Sequence, residues 1–252
     1  MKLLVLTATA ALSCFSCSTL SFQDLSELIQ DLPRHSSSRY ITHGSLPSGW
    51  FERAYATLDD PYVYIVLSDT GSPASRFISL FTAAVYNHVS LAFDRNLETL
   101  VSYNGGNGVS SPGLNVESLE TLNQKAGASL AIYRLRLEPA QKRIIIERIQ
   151  AINREGSSYN IAGLLSGKSR LPNIMFCSQF VYSVLDEVGL AYFKKKNGEV
   201  RPEDFIKKAE GLEFLGCVSL NSLAALLLNQ WQWPETLRTG PVELGIYPEA
   251  RY

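Results

Sequence analysis

Residues 88–94 alternate in character: Val89, Leu91 and Phe93 are apolar, and His88, Ser90, Ala92 and Asp94 stand between them. That two-residue period predicts a half-buried strand. Arg95-Asn96 suits a two-residue turn, and Glu98-Thr-Leu-Val-Ser-Tyr103 reads as the returning strand. Further strands are predicted at 62–68 and at Ala131–Leu137. The period then changes. Ile145, Ile149 and Ile152 recur at helical spacing from Pro139, and Gly156 is placed to stop that helix. After Pro172-Asn173, the residues Phe180, Val181, Val184, Leu185 and Val188 keep the same helical spacing. A chain that must bury pleated faces and helical stripes together is expected to be an α+β protein.

Two chemically capable side chains sit on these elements. Cys177 falls at the start of the helix that follows Asn173. Unpaired N–H groups and the helix dipole favour negative charge there. The thiolate is the nucleophilic form of cysteine, and such an environment promotes it. The same N–H groups can stabilise an oxyanion. The plainer role is packing, because free cysteine is commonly buried as a small apolar residue. His88 is held on a strand, whereas the other two histidines, His35 and His43, lie in a polar N-terminal stretch without strand character. A strand-borne histidine and a cysteine at a helix start are the parts of a thiol–imidazole pair.

The order of these segments resembles a known family. His88-Val-Ser-Leu-Ala-Phe-Asp94, followed much later by Phe176-Cys-Ser-Gln-Phe-Val181, is similar to the circularly permuted branch of the NlpC-like papain-fold hydrolases. In that branch the histidine strand precedes the cysteine helix. Tyr62–Asp69 resembles its opening strand and Ser75–Thr82 the helix before the histidine. Tyr159–Leu165 resembles its tyrosine-led segment, and Arg201-Pro-Glu-Asp-Phe205 its closing motif. The resemblance covers residues 60 to 210. It implies a permuted papain-like fold, with an antiparallel sheet carrying His88 packed against the helix carrying Cys177. It also implies a polar residue, on the strand after the histidine, that orients the imidazole. A two-residue turn at Arg95-Asn96 pairs His88 with Tyr103, which becomes the candidate. A register one residue away offers Ser102 or Asn104 instead. Glu98 is too near the turn to serve.

The N-terminus carries the expected address. Met1 to Ser13 has one basic residue and then a short apolar run, the pattern of a secretory signal. It is too short for a stable membrane span. Cys14 and Cys17 follow, so a relaxed lipoprotein signal with lipid on one of them is expected, alongside ordinary cleavage after Ala11-Leu-Ser13. The organisation read from the chain is a signal at 1–17, an N-terminal extension at 18–60, a hydrolase domain at 61–220 and a C-terminal tail at 221–252. The extension is expected to hold one amphipathic helix at Phe22–Leu32, and Gly105-Gly-Asn-Gly108 a flexible loop near the His88 sheet. Cys217, in an apolar run, reads as a buried core residue, although an exported chain could also bridge it to Cys177.

Composition removes other classes. A net charge of −1 leaves no basic footprint for nucleic acid. Neither a P-loop nor a Gly-x-Ser-x-Gly elbow is present: Gly105–Gly108 leads into no Lys-Ser or Lys-Thr, and Leu165-Ser-Gly-Lys168 has the wrong spacing. No metal-ligand spacing occurs, so neither metal nor cofactor is expected. With 46% hydrophobic residues the chain can bury a sizeable core. The expected function is an exported thiol hydrolase of the cell envelope using Cys177 and His88. The resemblance implies cell-wall peptide or amide bonds as its substrate. The alternatives are lipid acyl hydrolysis or transfer, as in the lecithin retinol acyltransferase relatives, and an inactive envelope-binding module.

Overall fold

The computed structural model describes residues 41–69, 86–106, 110–122, 128–160, 173–207 and 211–219. In chain order they form α1 (Ser48–Ala56), β1 (Tyr62–Asp69), β2 (His88–Ala92), β3 (Val101–Asn104), β4 (Gly113–Val116), α2 (Leu119–Leu122), β5 (Ser129–Arg136), α3 (Pro139–Glu155), β6 (Ser158–Tyr159), β7 (Ile174–Met175), α4 (Cys177–Glu187), α5 (Asp204–Lys207) and β8 (Glu213–Ser219). The order β4-β3-β2-β1-β5-β8 makes one sheet, and all its neighbouring pairs are antiparallel. β6 and β7 form a separate parallel pair. The architecture is α+β with a mostly antiparallel sheet.

Alternation places Val63, Ile65 and Leu67 of β1, Val89 and Leu91 of β2, and Val101 and Tyr103 of β3 in the main core. Trp50 and Phe51 of α1, Ile145, Ile146, Ile149 and Ile152 of α3 and the apolar stripe of α4 close over them. Each fully buried side chain of this size contributes roughly 1.5–3 kcal/mol by leaving water. The other face is covered too. Tyr64, Val66, Ala92, Leu130 and Ile132 pack with Leu97, Leu100 and Leu122. This is why β2 is buried along its whole length rather than half-buried as its alternation suggests.

The helix α3 follows its sequence signals. Pro139 takes the first turn, where its missing N–H costs nothing. Glu138 and Gln141 form a reciprocal capping box. Gly156 ends the helix at φ +94°, where a Cβ would stand 2.3 Å from Ile41 Cγ2, so no other residue fits without displacing that chain. Lys142, on the buried side, is wholly enclosed; its Nζ donates to the carbonyls of Thr57, Asp60 and Phe93. Burial pulls its ammonium down to about 8 against the opposing pull of Asp60 and Asp94, which leaves it charged at neutral pH. One cation thereby ties the end of β2 to the turn after α1.

Several expectations change. The connection after β2 is an eight-residue loop, because β3 begins at Val101 rather than Glu98. Asp94 accepts bonds from the N–H groups of Glu98 and Thr99, and Leu97 adopts a left-handed φ of 61°. The register is Leu91 opposite Val101, one residue from that of the two-residue turn. The boundary drawn at residue 60 also moves. Thr42 bridges Ser157, and Trp50 is fully buried, so residues 41–60 belong to the domain. Cys217 lies exposed on the edge strand β8, not in the core, and both Cys177 and Cys217 are free thiols. The signal segment, Cys14, Cys17, His35, the helices expected at Phe22–Leu32 and Ser75–Thr82, Leu165–Lys168 and the tail lie outside the described residues, as do Asn107 and Gly108. Among the described residues, no helix is long and apolar enough to cross a membrane.

Candidate functional site

Cys177 is the first residue of α4, and the preceding Phe176 is extended, so the chain enters the helix at the cysteine. The first-turn N–H groups have no acceptors within the helix. Ser178 Oγ donates to the Val200 carbonyl at 2.8 Å, which pins this turn. α4 packs against β2 and β3, bringing Cys177 to the beginning of β2, where His88 stands. The thiol stands close enough to the imidazole to act on its charge. Both are enclosed: Cys177 is 1% exposed and His88 8%.

The other side of the imidazole is held by Glu117. His88 Nε2 lies 2.9 Å from Glu117 Oε1 and 3.2 Å from Oε2. With Nε2 so occupied, Nδ1 is the nitrogen left for the thiol. Glu117 immediately follows β4, and its own N–H donates to the Leu100 carbonyl. Ser90 Oγ donates to Oε2 at 2.5 Å, and Asn104 Nδ2 to Oε1 at 3.0 Å.

The electrostatics follow from this arrangement. Burial would lower the pKa of His88, but the Glu117 carboxylate and the Cys177 contact raise it well above its ordinary value. Burial would raise Glu117, but the His88 charge and the bonds from His88, Ser90 and Asn104 hold it at about 2. The two shifts agree in sign: each group stabilises the charged form of the other. Tyr159 on β6 is buried beside the same groups. Burial, then the proximity of Cys177 and Glu117, pushes its hydroxyl well above the usual tyrosine range.

The structure brings Cys177 and His88 together, and it adds Glu117, which the sequence reading did not single out. Tyr103 is not that group. Its hydroxyl donates to the Asn173 carbonyl at 3.2 Å, and its ring packs on Phe180, with centroids 5.0 Å apart. It supports the turn before α4 from the main core. The observed register puts Asn104 nearest His88 on β3, and Asn104 reaches Glu117. A signal for Glu117 exists in the chain. Leu114 and Val116 alternate with Asn115 and Glu117, the same period as around His88. Among the described residues, no group of three or more His, Cys, Asp or Glu side chains is placed to hold a metal. No family model matches this chain, and neither a curated protein nor a solved structure matches it.

Proposed function

We propose that this protein is a thiol hydrolase in which Cys177 attacks a carbonyl, His88 carries protons and Glu117 orients and charges His88. The observation that carries the reading is the buried cluster in which Glu117 binds Nε2 of His88 and Cys177 stands beside the same imidazole. A raised His88 is a good acceptor for the thiol proton. The sulfur then bonds to the carbonyl carbon, with the oxyanion facing the first-turn N–H groups of α4. The carbon–leaving-group bond breaks as His88 passes the proton to the leaving group, which leaves an acyl-thioester. Water attacks the thioester, His88 takes its proton, and the carbon–sulfur bond breaks to release acid and restore the thiol. Glu117 weighs against the inactive binding-module alternative, which rested on the lack of an orienting residue.

The finer fold in this reading is the permuted papain-like one, with the histidine strand ahead of the cysteine helix. Its substrates are amide or peptide bonds of the cell envelope, by the resemblance of the two motifs. Export rests on the apolar run before Cys14 and Cys17. Mass spectrometry of protein from native membranes is expected to find the first 13 to 16 residues of the sequence removed and lipid on Cys14 or Cys17. An unmodified N-terminus beyond Cys17 removes the lipid and leaves export.

The chemistry has a test that needs no substrate. Iodoacetamide labelling, read by peptide mass spectrometry, compares Cys177 with the exposed Cys217 in one molecule. The enclosed Cys177 is expected to react faster than Cys217, and His88→Ala to remove that advantage. A slower Cys177, or one indifferent to His88, defeats the thiol mechanism.

A further inference from the structure

The Glu117 carboxylate has more partners than a simple orienting acid needs. Besides His88 it receives Ser90 from β2 and Asn104 from β3, two separate strands. Ser90 is fully buried, so its hydroxyl has no competing water. Asn104 can present only one end of its amide. Its Oδ1 accepts from Gly106 N–H at 3.0 Å and from Asn115 Nδ2 at 2.9 Å. Two donors on that oxygen leave the NH2 group for Glu117. Asn115 Nδ2 is itself placed by the carbonyls of Ser111 and Gly113. Gly106 and Asn115 therefore set Asn104, and Asn104 sets the carboxylate.

Geometry explains why two donors are needed. Glu117 follows the end of β4, and its side chain must cross β3 to reach β2. A long side chain in that position has rotamer freedom to lose. Ser90 grips one oxygen and Asn104 the other, leaving the carboxylate one orientation toward Nε2. We propose that Ser90 and Asn104 are positioning residues of the site, which hold the Glu117 carboxylate aimed at His88. This rests on the Cys177–His88 reading of the site. Neither residue touches the reacting atoms; both act through Glu117. The other titratable groups around His88 are Cys177 on α4 and Tyr159 on β6, and neither variant below alters them.

The test uses the full chain with carbon-13 in its glutamate carboxyls, comparing wild type, Ser90→Ala and Asn104→Ala, with Glu117→Gln to assign the signal. Each single variant is expected to raise the Glu117 midpoint by about one pH unit and to slow iodoacetamide labelling of Cys177 about tenfold, the weight of one hydrogen bond to a charged group. Thermal melts run alongside. A variant that melts lower but keeps the wild-type Glu117 midpoint shows a structural role and overturns the proposal. A raised midpoint with unchanged labelling overturns it as well. The underlying reading fails differently: wild-type labelling would be the same as that of His88→Ala, whatever Glu117 does.

Discussion

Replacing Cys177 with alanine is expected to abolish hydrolysis of an amide or ester substrate while the protein stays folded. The site has no second nucleophile on α4: Ser178 is committed to the Val200 carbonyl. Removing such a group costs roughly four to six orders of magnitude in well-studied hydrolases. Cys177→Ser is expected to fail nearly as badly, since a hydroxyl is far less acidic than a thiol and His88 is matched to thiol chemistry. The fold should tolerate both. Cys177 is small, and the core around α4 is built by Phe180, Val181, Val184 and Leu185. Cys217→Ala is the control; it changes an exposed edge-strand residue and should leave turnover alone. Steady-state assays on the four proteins, with melts alongside, check the set. Wild-type turnover by Cys177→Ala would end the thiol mechanism.

The parts of the site legible in the chain are those set by local periodicity. His88 lies on a strand because Val89 and Leu91 alternate with it, and Cys177 opens a helix because the apolar stripe begins just after it. Glu117 was hidden because its placement is non-local. It depends on β4 being a strand, and the run from Ser110 to Gly113 looks like a loop. It also depends on the register between β2 and β3. Asp94, by bonding Glu98 and Thr99, builds a wide loop where a tight turn was expected, and the shift of one residue removes Tyr103 from His88. A one-residue slip exchanges the two faces of a strand, so the wrong turn gives the wrong orienting residue. Cys217 was misread for a related reason. An apolar run does not reveal whether its strand is central or at the edge, and β8 is at the edge.

Glu117→Gln should move both activity and the pH dependence of stability. Turnover is expected to fall roughly a hundredfold to ten-thousandfold, because glutamine cannot stabilise a charged His88 and can present its NH2 to Nε2. The stability signs follow from the two shifts. Glu117 is held at about 2 against its ordinary 4.5, so its contribution is full above 4.5 and is lost as pH falls toward 2. His88 is raised above its ordinary 6.5, so its contribution is full below 6.5 and is lost as pH rises through the raised value. The pair therefore stabilises most between 4.5 and 6.5. In the variant, burial acts on His88 with only the Cys177 contact left to oppose it, and its pKa is expected to fall below the ordinary value. Stability must then drop as the solution is acidified below 6.5, where the wild type is on its plateau. At pH 5 the difference is expected to be on the order of 3 kcal/mol, as for a buried pair deprived of one partner. Urea unfolding of both proteins across the acid and neutral range measures it. Parallel stability curves for the two would mean that His88 and Glu117 are not a charged pair, and the site would lose the proton carrier on which its chemistry depends.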